Sequence, residues 1–108
     1  MLVPELDVTD LDVSLRFYQE VLGFGVVFTR AAERFAYLEC NGAELMLQEA
    51  AGPGRRFRTA PLEAPHGRGV NFQLRVDDVD LVVDRANAWG VETIVPVEER
   101  WYRVDVVA

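Results

Sequence analysis

Residues 3–15 and 71–83 carry nearly the same pattern, and this internal repeat limits the chain to folds built from two related modules. At a spacing of 68 positions, Leu6, Val8, Asp10 and Asp12 recur as Leu74, Val76, Asp78 and Asp80, while Leu11, Val13 and Leu15 are matched by Val79, Leu81 and Val83. Each copy runs through a helical stretch to a glycine, Gly23 and Gly90, and then into another apolar run. A chain of 108 residues is one domain's worth, so the two modules are expected to share one fold.

Charge narrows the function. Eighteen acids face eleven bases, all arginine, for a net charge of -7. Nucleic acid is repelled by such a balance and is not an expected partner. Arg55, Arg56, Arg58 and Arg68 against Glu63 make residues 50–69 locally basic and leave the remainder more acidic still. An acidic body concentrates cationic ligands around itself, although net negative charge also simply keeps a small protein soluble. No apolar run reaches the roughly 18 residues of a membrane span, and no basic-then-apolar leader opens the chain, so a soluble cytoplasmic protein is expected, without a membrane partner. Cys40 is the only cysteine; it excludes an internal disulfide and fits a reducing compartment.

Leu2, Pro4, Leu6 and Val8 alternate with Val3, Glu5 and Asp7, the period of a half-buried strand, with Pro4 suited to an edge or an arm. Asp10 caps a helix whose apolar positions are Leu11, Leu15, Tyr18 and Leu22, closed by Gly23. Phe24 to Thr29, Arg34 to Cys40 and Ala43 to Glu49 read as strands, the last two joined by the hairpin pair Asn41-Gly42. Residues 1–49 therefore form a first module of order βαβββ. Residues 50–69, with three prolines and four glycines, form a linker loop. Module two spans 70–108: a strand over Val70 to Val76, a helix capped by Asp78 with apolar Val79, Val82, Val83, Ala86 and Trp89, then strands over Val91 to Val97 and Trp101 to Val107. This α+β reading leaves the second βαβββ unit at least one strand short.

The run Val8-Thr9-Asp10-Leu11-Asp12-Val13-Ser14-Leu15-Arg16-Phe17-Tyr18, continuing to Val21-Leu22-Gly23-Phe24, resembles the first module of the vicinal oxygen chelate superfamily, the glyoxalase, bleomycin-resistance and dioxygenase group. Val76-Asp77-Asp78-Val79-Asp80 resembles the start of its second module. The resemblance implies paired βαβββ modules over nearly the whole chain. The C-terminal strands usual in that family, marked by an Asp-Pro-x-Gly turn, are not found in this sequence, so module two is expected to be completed from elsewhere or to continue beyond Ala108.

Metal-dependent members of the superfamily hold a divalent ion between the modules on His or Glu side chains. The resemblance maps these positions onto Val3, the neighbourhood of Met46, and Asn71, with the fourth beyond the last residue. An aliphatic chain cannot coordinate, a thioether prefers soft metals and an amide oxygen is a weak ligand. Val3 and Asn71 are also equivalent in the repeat. Neither a metal nor another cofactor is expected, with a metal-dependent lyase or dioxygenase kept as the alternative, its ligands then drawn from Glu5, Glu49 and His66.

Other catalytic patterns are weak. Ser14 and His66 are each the only residue of their type, so a Ser-His-acid triad would need two distant singletons to meet. Gly52, Gly54, Gly67 and Gly69 lack a Walker lysine or a Rossmann spacing. Glu98 and Glu99, being adjacent, point to opposite faces of a strand.

By the same resemblance, the strand faces away from the helices line a cleft. Glu5, Asp7, Asn71 and Gln73 are expected there, joined by Glu44, Met46 and Gln48 on the fourth strand. Phe35 and Tyr37 share one face of the third strand, and Trp101 and Tyr102 are candidates for stacking. Acids, amides, a methionine and rings suit a planar, amphipathic, positively charged molecule. The expectation is a homodimeric protein that sequesters a cationic or aromatic small molecule without transforming it, as the bleomycin-resistance branch does. A vestigial or regulatory module without ligand is a further alternative.

Overall fold

The computed structural model describes residues 1–54, 56, 59–64, 66, 67, 69–91, 98, 99, 105 and 106. The elements run β1 (Glu5–Val8), α1 (Leu11–Glu20), β2 (Gly25–Arg30), a short 3-10 turn (Ala31–Glu33), β3 (Phe35–Cys40), β4 (Ala43–Glu49), α2 (Val79–Trp89), β5 (Glu98–Glu99) and β6 (Asp105–Val106). The first four strands form one sheet in the order β1-β4-β3-β2. β1 lies parallel to β4, and the other two contacts are antiparallel. A parallel pair needs a crossover, and α1 with the β2–β3 hairpin supplies it.

The repeated aspartates act alike. The Asp10 carboxylate accepts the Val13 N–H at 3.2 Å and the Asp78 carboxylate accepts the Leu81 N–H at 3.1 Å, so both helices begin with the same cap 68 positions apart. At the other end of α2, Gly90 takes φ 84°, with its N–H donating to Asn87 and the Val91 N–H to Ala86. These bonds satisfy carbonyls that the helix leaves open, in a conformation where a Cβ is penalised. α1 ends earlier than the glycine alone implies: it stops at Glu20, and Gly23 at φ 81° turns the chain so that the Phe24 N–H reaches the Tyr18 carbonyl at 2.9 Å. Asn41 and Gly42, at φ 48° and 88°, make the tight β3–β4 turn, both left-handed as a type I′ hairpin requires.

One side of the sheet carries the core. Leu11, Phe24, Ala36, Leu38, Cys40 and Leu47 are buried together, with Leu6, Val8, Leu15, Tyr18, Leu22 and Leu45 packed against them. Ala36, Leu38 and Leu47 expose nothing; burying each leucine side chain contributes about 1.5–3 kcal/mol. Along β4 and β3 the alternate residues therefore turn to the opposite side.

Glu49 ends β4 on the helix side, opposite Val8. Its Oε2 accepts the Leu11 N–H at the start of α1 and is bound by Arg34 through Nη2 at 2.8 Å and Nε at 3.1 Å. Arg34, itself left-handed at φ 52°, also reaches Asp12 at 3.2 Å. Hydrogen bonds from Arg34 and Leu11 hold the Glu49 carboxyl below its ordinary value of 4.5. Arg56 binds the backbone carbonyls of Glu49 and Glu33, tying the start of the 50–69 loop to this corner.

Among the described residues, the second half departs from expectation at its first segment. Val70 to Val76 forms no strand, and Val70 and Phe72 are 58% and 59% exposed rather than packed under a helix. Leu74 alone of that face reaches the core. A strand persists only where its N–H and C=O groups find a ladder, and among the described residues this segment pairs with none. Leu2, expected on the buried face of the first strand, is 91% exposed, since the pairing begins at Glu5. α2 follows its pattern: Val79, Val82, Val83, Ala86 and Trp89 are the half-buried positions. Trp89 closes on α1, donating its indole N–H to Glu20 at 2.8 Å and meeting the Phe17 ring edge-on at 5.6 Å. Glu98 and Glu99 pair with Val106 and Asp105; all but Val91 of the strand expected over Val91 to Val97, and most of that over Trp101 to Val107, lie outside the described residues.

Candidate functional site

The face of the sheet turned away from α1 is set by register. Glu5 pairs with Met46 and Met46 with Tyr37; Asp7 pairs with Gln48 and Gln48 with Phe35; Glu44 pairs with Glu39. Paired residues share a side, so Glu5, Asp7, Phe35, Tyr37, Glu44, Met46 and Gln48 all lie on this open face. The parity of β1, β3 and β4 agrees with this register, which adds that Phe35 and Tyr37 belong with the acids and amides.

Phe28 joins them, which alternation along its strand does not foretell. Gly25 is opposite Glu39 and Val26 opposite Leu38, but Phe28 rather than Val27 is opposite Tyr37. The extra residue is a β-bulge, and a one-residue slip moves every later side chain to the other face. Phe28 and Arg30 thereby arrive beside Tyr37 and Phe35. The rings of Phe28 and Tyr37 stack at 5.2 Å with planes 18° apart, and Phe28 meets Phe35 at 6.0 Å. Arg30 stands over both phenylalanines, 5.8 Å and 5.5 Å from their centroids. Phe28 is 42% exposed, so one side of this aromatic shelf faces solvent.

Polar groups surround the shelf. Gln48, almost wholly buried, donates its side-chain N–H to Asp7 at 2.7 Å, fixing the Asp7 carboxylate across the β1–β4 junction. Burial, and then the charge and contact of Glu44, push the Tyr37 phenol above its usual 10.0. The Oε2 of Glu44 is buried without a hydrogen-bond partner among the described residues. A buried acceptor left unpaired is costly, and a donor brought to it is favoured.

Asn71 and Gln73 are exposed on the unpaired segment, and no described contact brings them to the open face. Trp101 and Tyr102 lie outside the described residues.

The described residues that the resemblance maps onto metal positions do not fit a metal centre of the family's kind. Val3 and Met46 supply no hard donor, and Asn71 is not drawn to them. The alternative set fails on register: Glu5 lies on the open face, whereas Glu49 lies on the helix side under Arg34, and His66 is exposed in the loop. Among the described residues, no three His, Cys, Asp or Glu side chains gather to hold a metal ion. No helix among them is long and apolar enough to cross a membrane.

A four-stranded sheet of order β1-β4-β3-β2, closed by a capped helix and followed by a second helix with the same cap, defines the class. The chain belongs to the Glyoxalase/Bleomycin resistance protein/Dioxygenase superfamily, whose sequence model matches residues 4–103. Solved structures similar to it include TioX from Micromonospora sp. ML1, 21% identical over 98% of this chain and 85% of that one, with a TM-score of 0.69. Lactoylglutathione lyase from Agrobacterium tumefaciens is 22% identical over 99% and 81%, at a TM-score of 0.61. The fosfomycin resistance protein FosX from Listeria monocytogenes is 20% identical over 93% and 72%, at 0.60. At these identities the likeness is one of fold. None of the curated proteins matches the chain.

Proposed function

We propose that this chain is a non-catalytic binding protein of the bleomycin-resistance type, which sequesters a cationic or aromatic small molecule on the open face of its sheet and acts as a cytoplasmic homodimer. The observation that carries the reading is the pairing of a solvent-facing stack, Phe28 on Tyr37, with the Glu44 carboxylate beside it, whose buried Oε2 has no hydrogen-bond partner among the described residues. A planar ring extends the stack, and a cationic group on it is drawn to the Glu44 carboxylate. The net charge of -7 favours the approach of such a ligand. Binding without reaction is supported by the side chains: three of the positions that the resemblance maps onto metal ligands fall at Val3, near Met46 and at Asn71, none of them a usual ligand for a hard divalent ion. Two of the similar structures, a lyase and a resistance protein, share the fold, so fold alone does not choose among these activities.

Isothermal titration of the purified protein with a bleomycin-type glycopeptide and with planar cationic aromatics tests the proposal. Saturable binding that raises the melting temperature is expected. No heat and no thermal shift across the panel rejects it.

A further inference from the structure

The aromatic shelf is polar along its length. On β3, Phe35, Tyr37 and Glu39 share the open face, and the neighbouring strands put opposite charges at the two ends. At the Phe35 end stands Arg30, directly opposite Phe35, its guanidinium over that ring and over Phe28. Its contact with Glu33 is long, 3.8 Å, between side chains 62% and 53% exposed. Such a surface pair contributes little and exchanges readily for another anion. At the far end Glu39 faces Glu44 directly, and like charges in that position repel. Glu39 spends one oxygen on the Gly42 N–H at 2.8 Å, while Oε2 of Glu44 has no partner among the described residues. Phe35 to Glu39 is four residues of extended chain, about 13 Å.

We propose that the shelf takes its ligand in one orientation, as a planar aromatic zwitterion with its acidic group at Arg30 and its ammonium group at Glu44. The inference rests on the binding reading above and narrows it from cations in general to molecules charged at both ends. A ligand with only a cation brings a second positive charge to the rings that the Arg30 guanidinium already covers. The zwitterion pairs the guanidinium, covers the rings and sets its ammonium group against the facing carboxylates of Glu39 and Glu44.

The test uses 4′-(aminomethyl)biphenyl-4-carboxylic acid, its methyl ester and its N-acetyl derivative, titrated calorimetrically into the wild-type protein, Arg30→Ala and Glu44→Gln. The zwitterion is expected to bind about tenfold tighter than either blocked form, the worth of one charge-assisted hydrogen bond. Its advantage over the ester disappears in Arg30→Ala, and its advantage over the N-acetyl form disappears in Glu44→Gln. Arg30 is exposed, so that variant folds and carries the test even where Glu44→Gln does not. If the ester binds wild type as tightly as the zwitterion, the orientation is overturned and the binding reading stands. If neither these probes nor planar cations bind, both are overturned.

Discussion

The rings of Phe28 and Tyr37 lie 5.2 Å apart and within 18° of parallel across the β2–β3 pair. This contact exists because a bulge between Val26 and Phe28 turns Phe28 onto the open face. Phe28 is 42% exposed and its removal opens no closed cavity. Phe28→Ser is therefore expected to cost less than about 1.5 kcal/mol of stability while weakening a bound planar cation about tenfold, within the worth of an aromatic contact. Urea unfolding and calorimetry on the same variant separate the two effects.

The core behaves differently. Leu38 and Leu47 expose nothing and sit at the centre of the buried cluster. Leu38→Ala is expected to lose about 2–5 kcal/mol, the transfer term plus the cavity left behind, with a matching fall in the urea midpoint. A loss below about 1 kcal/mol would mean that the sheet relaxes into the space.

Acid sensitivity should trace to Glu49. Its carboxyl is held below its ordinary value by the hydrogen bonds from Arg34 and Leu11, so the folded state favours the ionised form. The associated stability is present in full above the ordinary 4.5 and is lost as pH falls through the lower folded value. Glu49→Gln is expected to melt at a lower temperature than wild type at pH 7, with the gap closing on acidification below the ordinary carboxylate range. A gap that stays constant with pH would show that Glu49 acts through shape rather than charge.

How much of this was legible in the sequence depends on the range of the interaction. The repeat announced two helices with identical aspartate caps, and Asp10 and Asp78 make the same bond. Asn41-Gly42 announced its turn, and alternation grouped Glu44, Met46 and Gln48. All of these rest on contacts within a few residues. Phe28 was not legible, because a bulge is a mismatch between two strands and leaves no mark in one. Arg34 and Glu49 meet at a corner that needs β3, β4 and α1 assembled first. Val70 to Val76 has the alternation of a strand, yet alternation reports only the faces a strand would have and not whether a partner is there.

Those caps yield a matched pair of expectations. Asp10→Ala and Asp78→Ala each remove one side-chain acceptor at a helix start, at a cost of about 0.5–2 kcal/mol. Asp10 caps the helix that covers the core, so its loss should appear in global unfolding. Hydrogen exchange reports each helix separately, and unchanged protection in α1 for Asp10→Ala would contradict the assignment.

Cys40 is buried against the Leu22 carbonyl, and burial first, then the charges of Glu39 and Asp77, push its thiol above 9.0. A protonated, covered thiol is a poor nucleophile. Iodoacetamide at pH 7.5 should leave the native protein unmodified and label it fully in denaturant; rapid native labelling would mean that the β3 end opens.

The open face of the sheet is proposed to bind a planar cation. Proflavine titrated calorimetrically into the wild-type protein, Tyr37→Ala and Val13→Ser tests it most directly, since Tyr37 lies on that face and Val13 on the outer surface of α1, 40% exposed. Saturable binding to wild type and Val13→Ser that is lost in Tyr37→Ala is the expected result. No binding to wild type, or equal binding to all three, would contradict it.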